Sequence, residues 1–415
     1  MVSQPDLSHL RCIECGKEEL LGPQFTGCPV CAASGKTEAF EVIYDYVRLR
    51  KAGTLEAWRV RGGGVWRFHE LLPLPEGSKR ITLEEGGTPL FRLNLPGPGK
   101  IWLKDETRNP TGAFKDRFHT VSISMASVLG YKKVTASTTG NHGTSMSAYA
   151  AKGGLACLVF CDPRTPEVQL RLMQLYGARV AVLANRREHL AWLVRERGWY
   201  PSTYMTPMPV STPYGVEGYK TIGYEIFFQL GGRMPSRVIF PVAAGDGLYG
   251  PWKGFKELEA LGASGPLPKM IGVQATGCDP IVKGFNRGQK EVPIHPNPQT
   301  IAVSIADETG GAISLTTLYD SHGSAVAVSD AAILEAMKIL ARVGVVVEPS
   351  SAASVAAVMA LQAQGEFGTN EDVVCILTGA GAKWPDALSE ALENHELRER
   401  NPEALRAWIG ALDVA

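Results

Sequence analysis

The sequence predicts an α/β protein: two α/β domains with parallel sheets covered on both faces by helices, preceded by a small cysteine-bearing element. Three observations carry this. From about residue 80, apolar runs alternate with amphipathic segments, the pattern of repeated strand–helix units. The alternation supplies too many strands for one small sheet, and 415 residues are ample for two cores. Four of the eight cysteines crowd into residues 12–31 as Cys12-x-x-Cys15 and Cys28-x-x-Cys31, ahead of the alternation.

Each C-x-x-C places two thiolates at a tight turn, half of a tetrahedral site. Gly16, Gly27 and Pro29 are turn residues that such knuckles tolerate. Four thiolates, from Cys12, Cys15, Cys28 and Cys31, leave no position open for water, so the spacing reads as structural zinc. Chance clustering, or a site that has lost its metal, is the alternative. Residues 37–50, with Phe40, Val42, Ile43, Tyr44, Tyr46 and Val47, read as one or two strands closing this element. Ala57 to Pro75 shows no clear periodicity and reads as linker with a short helix.

The alternation then runs in order. Ile101–Leu103 is strand-like and 118–129 helical; 133–137 is a strand, 143–151 a helix rich in small residues, and 155–160 a strand. Thr165-Pro166-Glu167 reads as a helix start with a capping hydroxyl, Pro at the first position and an early acid, and that helix ends at Tyr176-Gly177. Strand 179–183 follows, then helix 221–230, strand 238–243, helix 248–261 and strand 270–274. Helices 329–343 and 349–363 precede strand 373–377, and Leu405, Trp408, Ile409 and Leu412 mark a short amphipathic helix after Asn401.

Composition excludes several classes. Forty-two basic residues balance 42 acidic ones, which argues against a broadly basic nucleic-acid binder or a polybasic membrane-surface protein. No apolar run approaches the roughly 20 residues of a membrane helix. Met1 to Leu10 carries Pro5, Asp6 and His9 and no apolar signal core, which argues against secretion. Cys157, Cys161, Cys278 and Cys375 are scattered among apolar neighbours, as buried thiols of a reducing, cytoplasmic compartment would be.

Ligands of open α/β sheets sit at the carboxyl ends of strands, so the loops there are the candidates. Asn109-Pro110-Thr111-Gly112-Ala113-Phe114-Lys115 opens a helix and sets a lysine beside an apolar ring, where a desolvated amine can form a Schiff base with a carbonyl cofactor. A solvated surface lysine is the alternative. Thr138-Thr139-Gly140-Asn141-His142 offers hydroxyls and N–H groups at a helix start, suited to a carboxylate, and Asn141 is placed to hydrogen-bond a phenolic oxygen. His142 also reads as a plain polar loop residue. Ala243-Ala244-Gly245-Asp246-Gly247 lets backbone approach a phosphate. Thr378-Gly379-Ala380-Gly381 follows the last strand and offers a neutral hydroxyl to a ring nitrogen. Plain tight turns are the alternative for these last two loops. Neither a P-loop nor a G-x-G-x-x-G is present, which lowers a nucleotide-dependent oxidoreductase.

Taken together the motifs resemble the pyridoxal-phosphate enzymes of fold type II, in the threonine-synthase branch of the tryptophan-synthase β superfamily. They run in family order over roughly residues 80–390: Gly86-Gly87-Thr88-Pro89-Leu90, Lys104-Asp105-Glu106 with Asn109 to Arg117, Thr139-Gly140-Asn141, Glu217-Gly218-Tyr219-Lys220-Thr221, Trp252 to Glu257, Glu348-Pro349-Ser350-Ser351 and Leu377-Thr378-Gly379. The N-terminal knuckles look like the ribbon some members carry.

The resemblance implies two doubly wound αβα domains with a small N-terminal zinc-ribbon-like element at 1–50. The large cofactor-binding domain would comprise 51–118 and 222–395, the small domain 119–221, and a C-terminal helix 396–415. It implies pyridoxal 5'-phosphate as cofactor, attached at Lys115, which also moves protons. Asn141 would contact the phenolic oxygen, Ala243, Ala244, Gly245, Asp246 and Gly247 the cofactor phosphate, and Thr378 the pyridine nitrogen. Thr138, Thr139, Gly140 and His142 would face the substrate. It implies a homodimer acting on a small amino acid by elimination or replacement, with O-phosphohomoserine to threonine as the family reaction. A neutral partner at the ring nitrogen suits that chemistry. Glu348 could orient substrate or structure near the ring or cap the helix at Pro349, with the cap favoured. Two positions depart from the family: Gly215 stands where an arginine commonly holds the substrate phosphate, and Ala244 where an asparagine is common. Lys220 or Arg108 could substitute. A serine/threonine dehydratase or a β-replacement enzyme is therefore the alternative, and a zinc-ribbon binding protein with a decayed catalytic domain is the non-enzyme one.

Overall fold

Strand–helix alternation yields three sheets in the computed structural model, which describes residues 8–36, 38–203, 210–392 and 401–412. Residues 1–7, Pro209 and the expected boundary at 395/396 lie outside the described residues.

The first sheet is antiparallel, built from β1 (Ser8–Cys12), β2 (Glu18–Glu19) and β3 (Phe40–Tyr44), with β1 in the middle. Leu10 pairs with Val42 in register, and both are fully buried. The expectation of strand through residue 47 fails at Asp45. Its carboxylate accepts the Arg48 N–H at 2.9 Å and starts the helix Tyr46–Lys51. An N-cap acid ends the strand where apolar content alone suggested more of it. The stretch read as linker is also packed. Trp58, on the helix Thr54–Val60, lies 5.0 Å from Phe68 and 4.9 Å from Tyr224, ring to ring.

The large sheet runs β12-β11-β10-β13-β5-β4: Ser324–Val328, Lys269–Ala275, Arg237–Pro241, Asp372–Leu377, Lys100–Asp105 and Leu90–Arg92. All neighbours are parallel except β4 on β5. Its centre is buried on both sides. Val374 and Ile376 of β13 join the core that holds Leu248 and Phe255, while Val373, Cys375 and Leu377 join the one that holds Ala352, Val355 and Met337. Alternate residues thus meet helices on opposite faces, the doubly wound arrangement. β12 was not anticipated, because Ser-Ala-Val-Ala-Val is a small-residue edge strand with little apolar contrast. The helices Arg186–Arg197, Pro280–Asn286 and Ala312–Asp320 were also not anticipated.

The small sheet runs β8-β7-β6-β9, all parallel: Arg179–Val182, Ala156–Cys161, Lys133–Thr138 and Tyr200–Pro201. The chain builds β4 and β5, leaves to form this sheet, and returns to the large one at β10. The helix after β7 begins one residue later than expected. Pro166 occupies its N-cap position, and the Thr165 hydroxyl is buried without a partner rather than capping. The helix Pro402–Leu412 forms as expected, with Leu405, Trp408 and Ile409 exposed. No helix among the described residues is long and apolar enough to cross a membrane.

Candidate active site

The parallel strands of both sheets deliver their following loops to one cleft, lined by Lys115, Asn141, Ala243 to Gly247, Glu348 and Thr378 among others. The loop before Lys115 is stitched to the loop after β13 by backbone. Phe114 N donates to Thr378 O at 2.9 Å, and Ala380 N to Gly112 O at 2.8 Å. Gly112, at φ 72°, makes the turn possible. Asp116 anchors the helix start Lys115–Val128, accepting Thr111 N (2.7 Å), Thr111 Oγ1 (2.6 Å) and Ser145 Oγ (2.6 Å). Burial nonetheless pushes the Asp116 carboxyl up to about 6. Next to it, Arg117 is fully buried and bonded to Glu106 and Glu225.

Lys115 Nζ lies over the rings of Phe114 at 4.4 Å and Tyr219 at 5.3 Å. Burial lowers the amine below its ordinary range, and the carboxyls of Asp246 and Glu348 oppose the shift. The same burial raises those two carboxyls. All three groups are driven toward neutrality, so the amine is available as a nucleophile or base.

Asn141 starts the helix Asn141–Gly153, where Gly140 N and Gly143 N donate to Thr138 Oγ1 at 2.9 and 3.0 Å. Thr138 therefore holds its own loop, while Thr139 lines the cleft. Gly140 has φ 148°, and an added Cβ would lie 2.6 Å from Gln169. Asn141 Nδ2 donates to Glu348 Oε2 at 2.6 Å, and Asn141 Oδ1 is buried without a partner. Glu348 occupies the N-cap position of the helix Pro349–Ala363, yet its side chain accepts no helix N–H. The capping expectation is corrected: the carboxyl is turned to Asn141 instead. His142 is buried and donates through Nε2 to Ser202 O at 2.6 Å. Burial, and next the Lys115 charge, push His142 down to about 3, so it stays neutral.

Ala243 to Gly247 lead into the fifteen-residue helix Asp246–Ala260. Gly245 sits at φ 106°. A Cβ on Gly247 would come within 2.9 Å of Phe240 and 3.0 Å of Phe114, so the loop passes as bare backbone. Thr378 Oγ1 is 2.9 Å from Ser351 Oγ.

The proposed substitute cations are elsewhere. Lys220 is fully buried between Glu217 (2.6 Å) and Glu257 (3.1 Å), and the Arg108 side chain is 70% exposed. The cleft instead opens into a cavity of about 260 Å³ that contains Arg164, Arg186 and Arg187. Sequence reasoning passed over these arginines because Arg186-Arg187-Glu188-His189 reads as the polar start of a surface helix. Tyr219 belongs to the Glu217–Thr221 motif, and nothing in its neighbours marks a ring under Lys115.

In the N-terminal sheet the four Sγ atoms of Cys12, Cys15, Cys28 and Cys31 lie within 4.8 Å of one another. The Cys12–Cys31 and Cys15–Cys28 separations are 3.7 and 3.6 Å, too long for disulfides.

Residues 81–379 match the family model described as pyridoxal-phosphate dependent enzyme. A threonine synthase of Methanocaldococcus jannaschii is 39% identical over 92% of this chain and 95% of its own. That of Methanosarcina acetivorans is 35% identical over 97% and 98%. Among solved structures, the processed threonine deaminase isoform 2 of Solanum lycopersicum superposes with a TM-score of 0.64 at 20% identity, covering 91% of this chain and 98% of that one. At that identity the superposition speaks for the fold.

Proposed function

This chain belongs to the pyridoxal-phosphate-dependent enzymes and is a threonine-synthase-like lyase working by elimination or replacement on an amino acid; on that premise we propose that it converts O-phosphohomoserine to threonine. The observation that carries the choice is the extension of the Lys115 cleft into a cavity of about 260 Å³, room for a side chain longer than that of serine or threonine.

The residues present fit the cofactor. The loop Ala243–Gly247 has no space for a side chain at Gly247 and opens a fifteen-residue helix, which suits a phosphate. Lys115 would hold its carbonyl carbon, Asn141, with a buried Oδ1 lacking a partner, its phenolic oxygen, and Thr378 its ring nitrogen. Pyridoxal phosphate, when bound, supplies an electron sink for the substrate α-carbon. The Lys115 amine, whose burial favours its neutral form, takes and returns protons at that position. Thr139 and its neighbours in the loop receive the substrate carboxylate. The apolar rings of Phe114 and Tyr219 keep water from the amine.

A dehydratase on a non-phosphorylated amino acid is the second reading, favoured by Gly215. A Cβ there would lie 2.1 Å from the Phe118 ring, so no arginine fits at that position. Turnover of O-phosphohomoserine against L-threonine and L-serine decides. Phosphate release with threonine formation supports the synthase; 2-oxo-acid formation from L-threonine alone refutes it.

The same reading places structural zinc on Cys12, Cys15, Cys28 and Cys31, supported by sulfur spacings near the ~3.8 Å edge of a tetrahedron with 2.3 Å Zn–S bonds. A cytoplasmic homodimer is supported by Cys157, Cys161, Cys278 and Cys375, buried thiols free of disulfides, and by the exposed apolar face of Leu405, Trp408 and Ile409.

A further inference from the structure

We propose that Arg186 receives the anionic leaving group of the substrate, a phosphate monoester, with Arg164 beside it; this rests on the phosphohomoserine reading above. The four strands of the small sheet are parallel, so the loops after them open on one side. The loop after β7 brings Arg164 there, and the loop after β8 brings Arg186 and Arg187. The cavity they enter shares Thr139, Ala243 and Ser304 with the Lys115 cleft. An amino acid reacting at Lys115 therefore extends its side chain toward these guanidinium groups.

Two of the three arginines share a counter-ion: Asp162 meets both Arg164 (2.9 Å) and Arg186 (2.8 Å). Arg187 is matched by Asp307 at 2.8 Å, a contact that joins the small sheet's loop to the large sheet's side of the cavity. Glu188 and Glu308 also line the cavity and, like Arg164, are exposed. Arg186 is thus the more buried of the two cations on Asp162. Arg186 adds an unmet need. Its side chain is 16% exposed, and its Nε is buried without a hydrogen-bond partner. A buried guanidinium donor left open costs stability unless an acceptor arrives, and a phosphate oxygen is the acceptor that guanidinium geometry matches best. Gly215 contributes no cation, because Phe118 fills the space its side chain would need. In this chain the cation comes from the β8 loop instead.

The test compares wild type with Arg186→Ala and Arg186→Lys as holoenzymes. Readouts are KM and kcat for O-phosphohomoserine, the Kd of the product L-threonine from the shift in cofactor absorbance, and inorganic phosphate binding by calorimetry. The visible cofactor absorbance and melting temperature serve as folding controls. For Arg186→Ala, KM for O-phosphohomoserine rises about tenfold to a hundredfold, the loss of one charged hydrogen-bond partner. Phosphate binding weakens in parallel, while kcat for O-phosphohomoserine and Kd for L-threonine hold within a factor of about two on the same arithmetic. Arg186→Lys recovers part of the loss, and it decides the matter should the alanine variant not fold. Unchanged KM and phosphate affinity in both variants would overturn the proposal. An equal rise in Kd for L-threonine would overturn it too, because the arginine would then be holding the α-carboxylate. If wild type does not turn over O-phosphohomoserine, the parent reading fails. Phosphate affinity that still depends on Arg186 would then support the anion site on its own, and affinity independent of it would reject the site as well.

Discussion

Asn141 Nδ2 donates to Glu348 Oε2 at 2.6 Å, tying the first turn of a helix on the small sheet to the N-cap residue of a helix on the large one. The bond crosses the cleft between the sheets, and burial holds the Glu348 carboxyl above its ordinary range. Removing Glu348 leaves a buried amide donor without an acceptor, a cost of about 1–3 kcal/mol. We expect Glu348→Ala to lower the free energy of unfolding by that amount, read from the shift in the denaturant midpoint. A cycle with Asn141→Ala and Glu348→Ala should show coupling of about 1 kcal/mol or more. Strictly additive effects would mean that the two residues act separately.

Asp116 gives a pH dependence with a definite sign. Burial raises it from its ordinary value of 3.8 to about 6 in the folded protein. Between those values the folded state holds a proton that the unfolded state has lost. Stability from this group is therefore present below pH 3.8 and is lost as pH rises through about 6. The difference, 6 − 3.8 ≈ 2.2 units, corresponds to at most about 3 kcal/mol. Urea denaturation of wild type and Asp116→Asn from pH 3.5 to 7 should show that slope in wild type and not in the variant. Parallel curves would place the carboxyl's titration outside this window.

The cysteine cluster should act beyond its own sheet. Tyr214 Oη accepts Gly22 N at 2.7 Å and donates to Gly22 O at 2.6 Å, and Ser211 N donates to Phe25 O at 2.7 Å. The turn between the two knuckles thus clamps residues 211–214, next to Val210 in the cavity wall. Elemental analysis of purified protein should give one zinc per chain, and none in Cys12→Ser with Cys28→Ser. Metal loss should also lower the melting temperature, because metal binding at a structural site contributes folding energy directly. Metal content unchanged by the double substitution would remove zinc from these cysteines.

The part of the site legible in the sequence is the part made by local chain. Lys115, the Thr138–His142 loop, the Ala243–Gly247 loop and Thr378 each follow a strand and begin a turn or helix, so glycine punctuation and apolar runs locate them without tertiary knowledge. The parts that were not legible are non-local. Glu348 sits at a helix start and reads as a cap, and only the approach of Asn141 from 207 positions away turns its carboxyl aside. Lys220 reads as a free cation until Glu217 and Glu257 close around it. Arg186 reads as a surface charge until the large sheet's loop at Asp307 closes the cavity over it. In the fold, Trp58 to Leu71 lacks periodicity because its apolar residues pack around one another and Tyr224 rather than along one helix face.

Gly215 and Phe118 provide the last prediction. Phe118 is fully buried, and a Cβ on Gly215 would lie 2.1 Å from its ring carbon Cζ. That ring also meets His142 at 5.1 Å and Tyr219 at 5.4 Å, centroid to centroid, so it is hemmed in on two sides and has little room to yield. Overpacking of this kind costs typically 1–3 kcal/mol. Gly215→Ala should lower the denaturation midpoint accordingly, and Gly215→Arg more so. Installing an arginine at this position should therefore not improve the KM for O-phosphohomoserine. Phe118→Leu should relieve the clash, making Gly215→Ala less costly in that background than in wild type. A Gly215→Ala protein as stable as wild type would show that Phe118 can shift. In that case the glycine would not be an adaptation to the ring beside it, and the missing arginine would need an explanation other than lack of space.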